Sequence, residues 1–136
     1  MKPSDAVVQE MRSAARAAMK NAYCRYSKFR VGAAVLTDEG EIFAGCNVEN
    51  ASYGLTMCAE RNAIFQAVAK GQQKIKAVVV VTPTKTLTSP CGACRQVINE
   101  FGPNAEVFIF GSEKSGRKIN LSKLLPDAFG PQNLGR

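Results

Sequence analysis

Histidine is absent from this 136-residue chain, so no imidazole is available as a general base or as a metal ligand. Long apolar runs are also lacking, and the longest, residues 77–81, is far too short to span a bilayer. The first residues lead into Glu10, Arg12 and Arg16 without the apolar stretch of a signal peptide. These absences predict a soluble, cytoplasmic protein with no membrane partner, whose chemistry depends on thiols and carboxylates.

The length predicts a single domain spanning residues 1–136, which can bury about two thirds of its unfolded surface. No internal repeat or low-complexity segment divides it. The net charge of +7 comes from 18 lysines and arginines that are spread along the chain, with loose concentrations only at 20–30 and 114–123. This distribution is typical of a solvated surface, and we expect no nucleic-acid partner.

Five cysteines, an odd number in a chain without secretory features, argue against a disulfide framework and favour metal or thiol chemistry. Cys24 and Cys46 lie among apolar or small neighbours, which favours a role as small buried hydrophobic residues. Cys58, Cys91 and Cys94 are then the candidates for metal binding.

Hydrophobic periodicity and turn residues predict the order of the secondary-structure elements. Apolar residues at helical spacing predict a first helix, and Asp38-Glu39-Gly40 is typical of a hairpin turn. Ser89-Pro90 indicates an N-cap followed by proline at the first helical position. The predicted elements are a helix at 5–22, a hairpin at 29–47, a helix at 58–70, a strand at 75–82, a helix at about 91–101, a strand at 105–111, a short strand near Lys118, a segment at 121–125 and an irregular tail.

This order implies that helical crossovers join the later strands, which must then run parallel to each other. The predicted strand at 75–82 contains the unbroken apolar run 77–81, which indicates a strand that is buried on both faces. We therefore predict an α/β fold, a three-layer α/β/α sandwich with a mixed five-stranded sheet.

Three cysteines at helix starts predict a zinc site. Cys58 begins one predicted helix, and Cys91 and Cys94 lie in the first turn of another. Helix N-termini lower thiol pKa values and favour thiolate ligands. Three thiolates on one zinc leave its fourth position open to water, as in catalytic zinc sites. Glu60, two residues after Cys58, is then the candidate general base.

Two other readings remain open from the residues alone. Glu60 could merely stabilise the helix N-terminus as an acidic residue. Cys46 could supply a fourth thiolate, which would make a structural zinc module that contacts phosphates through its basic surface.

The spacing Cys-x-Glu followed by Pro-Cys-x-x-Cys resembles the zinc-deaminase signature, which is better known with histidine as its first ligand. More specifically, the chain resembles the small homotetrameric cytidine deaminases along nearly its whole length. The stretches that carry the resemblance are "YSKFRVGAAV" (26–35), "GCNVENASYGLTMCAERNAIFQAV" (45–68), "SPCGACRQVINEF" (89–101) and "LLPDAF" (124–129). Deoxycytidylate and RNA-editing deaminases look different, because histidine is their first ligand.

The resemblance implies a cytidine deaminase-like fold and a hydrolase of pyrimidine salvage. Such an enzyme converts cytidine or deoxycytidine into uridine or deoxyuridine and ammonia, with Zn²⁺ as cofactor and subunit interfaces near the sites of a homotetramer. A related deaminase of a cytosine-containing antibiotic or a modified nucleoside is the alternative within this class. The resemblance implies zinc binding by Cys58, Cys91 and Cys94, and proton transfer by Glu60. For the substrate it implies base stacking by Phe29, a hydrogen bond donated to the base by the Ala59 N–H, one accepted from the base by the Ser89 carbonyl, and ribose binding by Asn47 and Glu49. It also implies contacts to a neighbouring subunit's pocket by Tyr53 and Phe129, and support of the thiolates by Arg61 and Gln96.

Overall fold

The computed structural model describes residues 2–136. Its helices and strands, named in chain order, are α1 (Asp5–Met19), β1 (Gly32–Thr37), β2 (Ile42–Cys46), α2 (Ala59–Ala69), β3 (Ile75–Val81), α3 (Gly92–Phe101), β4 (Glu106–Phe110), β5 (Gly116–Asn120) and α4 (Leu121–Leu124). Two short 3-10 helices lie at Tyr53–Leu55 and Pro131–Leu134. None of the helices within residues 2–136 combines the length and the apolar character that crossing a membrane requires.

The five strands form one mixed sheet in the order β2-β1-β3-β4-β5. β1 runs antiparallel to both of its neighbours, β2 and β3. β3 and β4 are parallel and are joined through α3, which is the predicted helical crossover. β5 returns antiparallel to β4. The predicted mixed five-stranded sheet is confirmed.

Helices cover both faces of the sheet, so the predicted three-layer arrangement is confirmed. On one face α1 buries Met11 and Ala15 against alternate residues of the central strands, such as Val79. On the other face Ile64 of α2 and Ile98 of α3 belong to a second buried cluster. Fully burying a side chain of this size stabilises the fold by about 1.5–3 kcal/mol. β3 contributes to both clusters, which explains its unbroken apolar run.

Two helix boundaries differ from the predicted ones. The first helix ends at Met19 rather than at residue 22, because the Asn21 N–H bonds to the Ala18 carbonyl in a tighter turn. The third helix is capped by Cys91, not by Ser89. The Cys91 backbone is extended, and its carbonyl accepts the first helical bond from the Arg95 N–H at 2.9 Å. The segment at 121–125 is largely the short helix α4, and the irregular tail contains one 3-10 turn.

Gly45 allows β2 and α2 to approach each other closely. A β-carbon at this position would lie 2.7 Å from the Ala63 nitrogen and 2.8 Å from the Ala59 carbonyl oxygen. Such distances are closer than real contacts allow, so only glycine fits without displacing the helix. The first turn of α2 is therefore held directly against the sheet.

Candidate active site

The three cysteines predicted to bind metal lie close together at one edge of the sheet. They are Cys58, Cys91 and Cys94. Cys58 is the N-cap of α2, Cys91 is the N-cap of α3, and Cys94 lies in the first turn of α3. The strands that precede the two helices, β2 and β3, are both antiparallel to β1 and hence parallel to each other. The three sulfur atoms lie within 4.8 Å of one another, and those of Cys58 and Cys91 are 3.9 Å apart.

This sulfur cluster fits zinc. Tetrahedral coordination with Zn–S bonds of about 2.3 Å places the sulfur atoms about 3.8 Å apart, close to the observed spacing. Cys46 does not belong to the cluster that the described residues form, so the alternative of a four-cysteine structural module is not favoured. All five cysteines are free, and Cys24 is buried and Cys46 half-buried.

Positive charge and hydrogen bonds favour a thiolate at Cys58. The Arg61 guanidinium donates from Nη2 to the Cys58 sulfur at 3.2 Å, as expected from their spacing on one helix face. A hydrogen bond from Cys94 and the nearby Arg61 lower the pKa of the Cys58 thiol. The pKa of Cys94 is raised by the same hydrogen bond and by burial. The cluster thus carries negative charge beside a cation that partly offsets it.

Glu60 lies in the first turn of α2, with only 4% of its surface exposed. Burial raises the pKa of its carboxyl to about 7, and the negative charge of Cys58 adds to the effect. A carboxyl group with a pKa near the working pH can both accept and release a proton. This property is what a proton carrier needs, and it is not required of a residue that only stabilises a helix end.

A cavity of about 250 Å³ connects the sulfur cluster with the segments around β1 and β2. Most of the residues that the sequence nominated for substrate contacts line it. They are Phe29, Asn47, Glu49, Ala59 and Ser89, together with Cys58, Glu60 and Cys91. Phe29 lies three residues before β1 rather than at its first position. Its ring is therefore not held in the sheet.

Asn47 and Glu49 fix the chain segment that forms one wall of this cavity. The Asn47 amide donates to the Phe29 carbonyl at 2.8 Å and accepts from the Val31 N–H at 2.9 Å. The Glu49 carboxylate accepts from the N–H groups of Tyr26 and Ser27, each at 3.0 Å, and from the Ser27 hydroxyl. These hydrogen bonds, above all that from the Ser27 hydroxyl, lower the pKa of Glu49. Its carboxylate is therefore ionised at the cavity wall.

Three nominated residues neither line the cavity nor bond to the sulfur cluster. Tyr53 and Phe129 are 76% and 59% exposed, and the Tyr53 ring meets the Tyr26 ring edge-on. Gln96 was predicted to support the thiolates, but its amide donates to the Phe129 backbone carbonyl at 2.8 Å. Gln96 thus holds the C-terminal segment against α3.

Sequence reasoning missed two residues that shape the site. Ser27 bonds Glu49 and also accepts from the Phe29 N–H at 3.0 Å, and its place in the resembling stretch 26–35 was the available signal. Arg95 bonds the turn before Cys91. An arginine next to a candidate ligand cysteine is usually interpreted as solvated, so no sequence signal indicated its contacts.

A three-cysteine cluster that leaves one zinc position open, beside a buried carboxyl group, defines the chain as a zinc-dependent hydrolytic enzyme. Residues 6–110 match the family described as the cytidine and deoxycytidylate deaminase zinc-binding region. The chain belongs to this family.

Relatives match it over most of their own length. A cytidine deaminase of Sporosarcina psychrophila is 44% identical over 128 residues, which are 93% of this chain and 94% of the relative. A probable cytidine deaminase of Dictyostelium discoideum is 48% identical over 122 residues, or 89% of this chain and 82% of the relative. The crystal structure of cytidine deaminase from Burkholderia pseudomallei superposes with a TM-score of 0.85 at 48% identity, covering 89% of this chain and 98% of that one.

Proposed function

We propose that the protein is a zinc-dependent cytidine deaminase, which hydrolyses cytidine or deoxycytidine to uridine or deoxyuridine and ammonia. The observation that carries this function is that one cavity is lined by two cysteines of the sulfur cluster, by Glu60, and by Asn47 and Glu49. Relatives that are 44% and 48% identical to this chain, over 93% and 89% of its length, are cytidine deaminases, which supports the same activity.

The chain contributes proton transfer and charge to the reaction. Cys58, Cys91 and Cys94 would hold a zinc ion, which would supply a Lewis acid that makes water nucleophilic near neutral pH. Glu60 takes one proton from the attacking water and delivers it to N3 of the cytosine ring. It then takes the second proton of that oxygen and passes it to the amine, which leaves as ammonia while the carbonyl forms at C4. Its pKa of about 7 suits both directions of transfer. The Arg61 guanidinium withdraws electron density from the thiolate that it bonds.

The cavity wall would bind the nucleoside away from the reacting carbon. Phe29 offers a ring face to the base, and the Ala59 N–H and the Ser89 carbonyl offer hydrogen bonds to its polar edge. Asn47 and Glu49 would bind the ribose hydroxyls through the hydrogen-bonding positions of their side chains that the contacts with residues 26–31 leave free. Such remote contacts orient the ring for attack at C4.

We also propose how the protein assembles and what role it has in the cell. The exposed rings of Tyr53 and Phe129 support a homotetramer in which they reach a neighbouring subunit's pocket. Five free cysteines support a reducing, cytoplasmic location, and nucleoside deamination fits pyrimidine salvage. We assign the whole of residues 1–136 to one catalytic domain.

Incubating the purified protein with cytidine tests the function directly. We expect the ultraviolet absorbance to change from that of cytidine to that of uridine, with one ammonia released per nucleoside. Removal of zinc by a chelator should stop the reaction, and added zinc should restore it. A zinc-loaded, folded protein that leaves both cytidine and deoxycytidine unchanged would contradict the proposal.

Glu49→Ala tests the assignment of the ribose site. A hydrogen bond to a charged group contributes about 1.5–3 kcal/mol, so kcat/KM for cytidine should fall roughly 10- to 150-fold. Free cytosine has no ribose, so its much weaker turnover should change little. Turnover of both substrates, measured in parent and variant, separates a ribose contact from a general disturbance of the Tyr26–Ser27 segment. An equal loss with both substrates would argue against ribose binding.

A further inference from the structure

The Arg95 side chain holds residues 87–90, which lead into α3 and are called the turn below. Its Nε donates to the Pro90 carbonyl at 2.8 Å, and its Nη2 donates to the Ser89 hydroxyl at 3.3 Å. Its Nη1 donates to the Leu124 carbonyl, at the end of α4, at 3.0 Å. One guanidinium therefore joins this turn to the C-terminal segment, a use of its planar fork that lysine cannot reproduce.

The turn has few other polar ties. Within residues 2–136, positions 87–90 make no backbone–backbone hydrogen bond. Pro90 is buried and has no N–H to donate, so Arg95 supplies the partner of its carbonyl. The orientation of the turn relative to α3 thus depends on one side chain.

Arg95 is itself fixed to the metal-binding end of α3. It follows Cys94, and its N–H donates to the carbonyl of Cys91. The turn is therefore aligned to the same helical turn that carries two of the three sulfur atoms. A shift of Arg95 would change the position of the turn relative to the sulfur cluster.

Ser89 links this turn to the reaction. It lines the cavity beside Cys91 and Glu60, and its backbone carbonyl accepts no hydrogen bond from the described part of the chain. We propose that Arg95 is a positioning residue, which aims the Ser89 carbonyl at the amino group of the bound nucleoside without touching it. This inference rests on the proposed function. A carbonyl placed about 1 Å away from its productive position can cost roughly 10²-fold in rate.

Arg95→Ala tests the proposal through separate effects on turnover and binding. We expect kcat for cytidine to fall roughly 10- to 100-fold. The KM for cytidine and the Kd for uridine should stay within about threefold, since the ribose contacts of Asn47 and Glu49 remain. Arg95→Lys should recover only part of the lost kcat, because a single ammonium group cannot donate to all three of these acceptors as the planar guanidinium does. Millimolar guanidinium should raise kcat of Arg95→Ala and leave the parent unchanged.

Arg117→Ala is the matched control, since this exposed arginine lies on β5 and has no side-chain hydrogen bond within the described residues. It should keep the parent kcat. Zinc content and melting temperature are measured for every variant. A parent-like kcat in Arg95→Ala, or a loss of activity in proportion to lost zinc or lost folded protein, would overturn the positioning role. If the parent protein releases no ammonia from cytidine, the proposed deaminase function is wrong, and the positioning role of Arg95, which rests on it, is wrong as well.

Discussion

Glu60→Gln should remove nearly all turnover of cytidine while the protein stays folded and zinc-loaded. One general acid–base transfer typically contributes about 10²–10⁴ in rate, and the proposed mechanism uses Glu60 for more than one. Glutamine has almost the same volume and fits the same buried space, but it cannot carry a proton. We therefore expect kcat to fall at least as far as the upper end of that range, measured by ammonia release at saturating cytidine.

Glu100→Gln is the matched control for this change. Glu100 is exposed near the end of α3, so its substitution makes the same change of carboxyl to amide without touching the cavity. It should leave kcat and zinc content unchanged. A Glu60→Gln protein that kept most of its turnover would refute proton transfer by this residue.

Cys91→Ala should abolish stable zinc binding, and activity should fall with it. Cys91 is the exposed member of the cluster, so its replacement costs little packing and isolates the loss of a ligand. Losing an outer-sphere partner of a metal typically costs about 10- to 100-fold in affinity, and losing a thiolate ligand should cost more. Zinc per chain, measured after dialysis against a weak chelator, gives the result.

Cys46→Ala provides the comparison for this ligand test. Cys46 is half-buried on β2 and lies outside the sulfur cluster, so zinc content and turnover should match those of the parent. Burial raises the pKa of its thiol, as expected for a cysteine that packs as a small hydrophobic residue. If Cys46→Ala lost as much zinc as Cys91→Ala, the result would favour the alternative of a structural zinc site with Cys46 as its fourth thiolate ligand.

The fold was largely predictable, because its signals are local. The apolar stripe of α1, the turn at Asp38-Glu39-Gly40 and the continuous apolar run of β3 each reflect periodicity or turn chemistry that a sequence displays. The start of α3 was misplaced for a physical reason. Ser89 and Pro90 satisfy the usual capping preferences, whereas the true N-cap, Cys91, is a residue type with no strong capping preference.

The site was predictable only in part. The sulfur cluster and its neighbour Glu60 follow from spacing at helix starts, which is a local feature. The contacts of Asn47 and Glu49 with residues 26–31 join positions 16 to 23 apart in the chain. Gln96 bonds a carbonyl 33 residues away. Such contacts depend on the tertiary structure, and no periodicity in the sequence predicts them.

The position of Cys58 and Cys91 on separate helices makes a metal ion at this site a cross-link. The two residues are 33 positions apart, and closing a flexible loop of that length would cost about 3 kcal/mol of chain entropy. The sheet has already brought both helix ends together, with β2 and β3 on either side of β1. The folded chain therefore binds zinc without meeting that entropic cost, whereas the unfolded chain would have to meet it. Metal occupancy is consequently linked to global stability, so a core substitution far from the sulfur atoms lowers apparent zinc affinity once it populates the unfolded state.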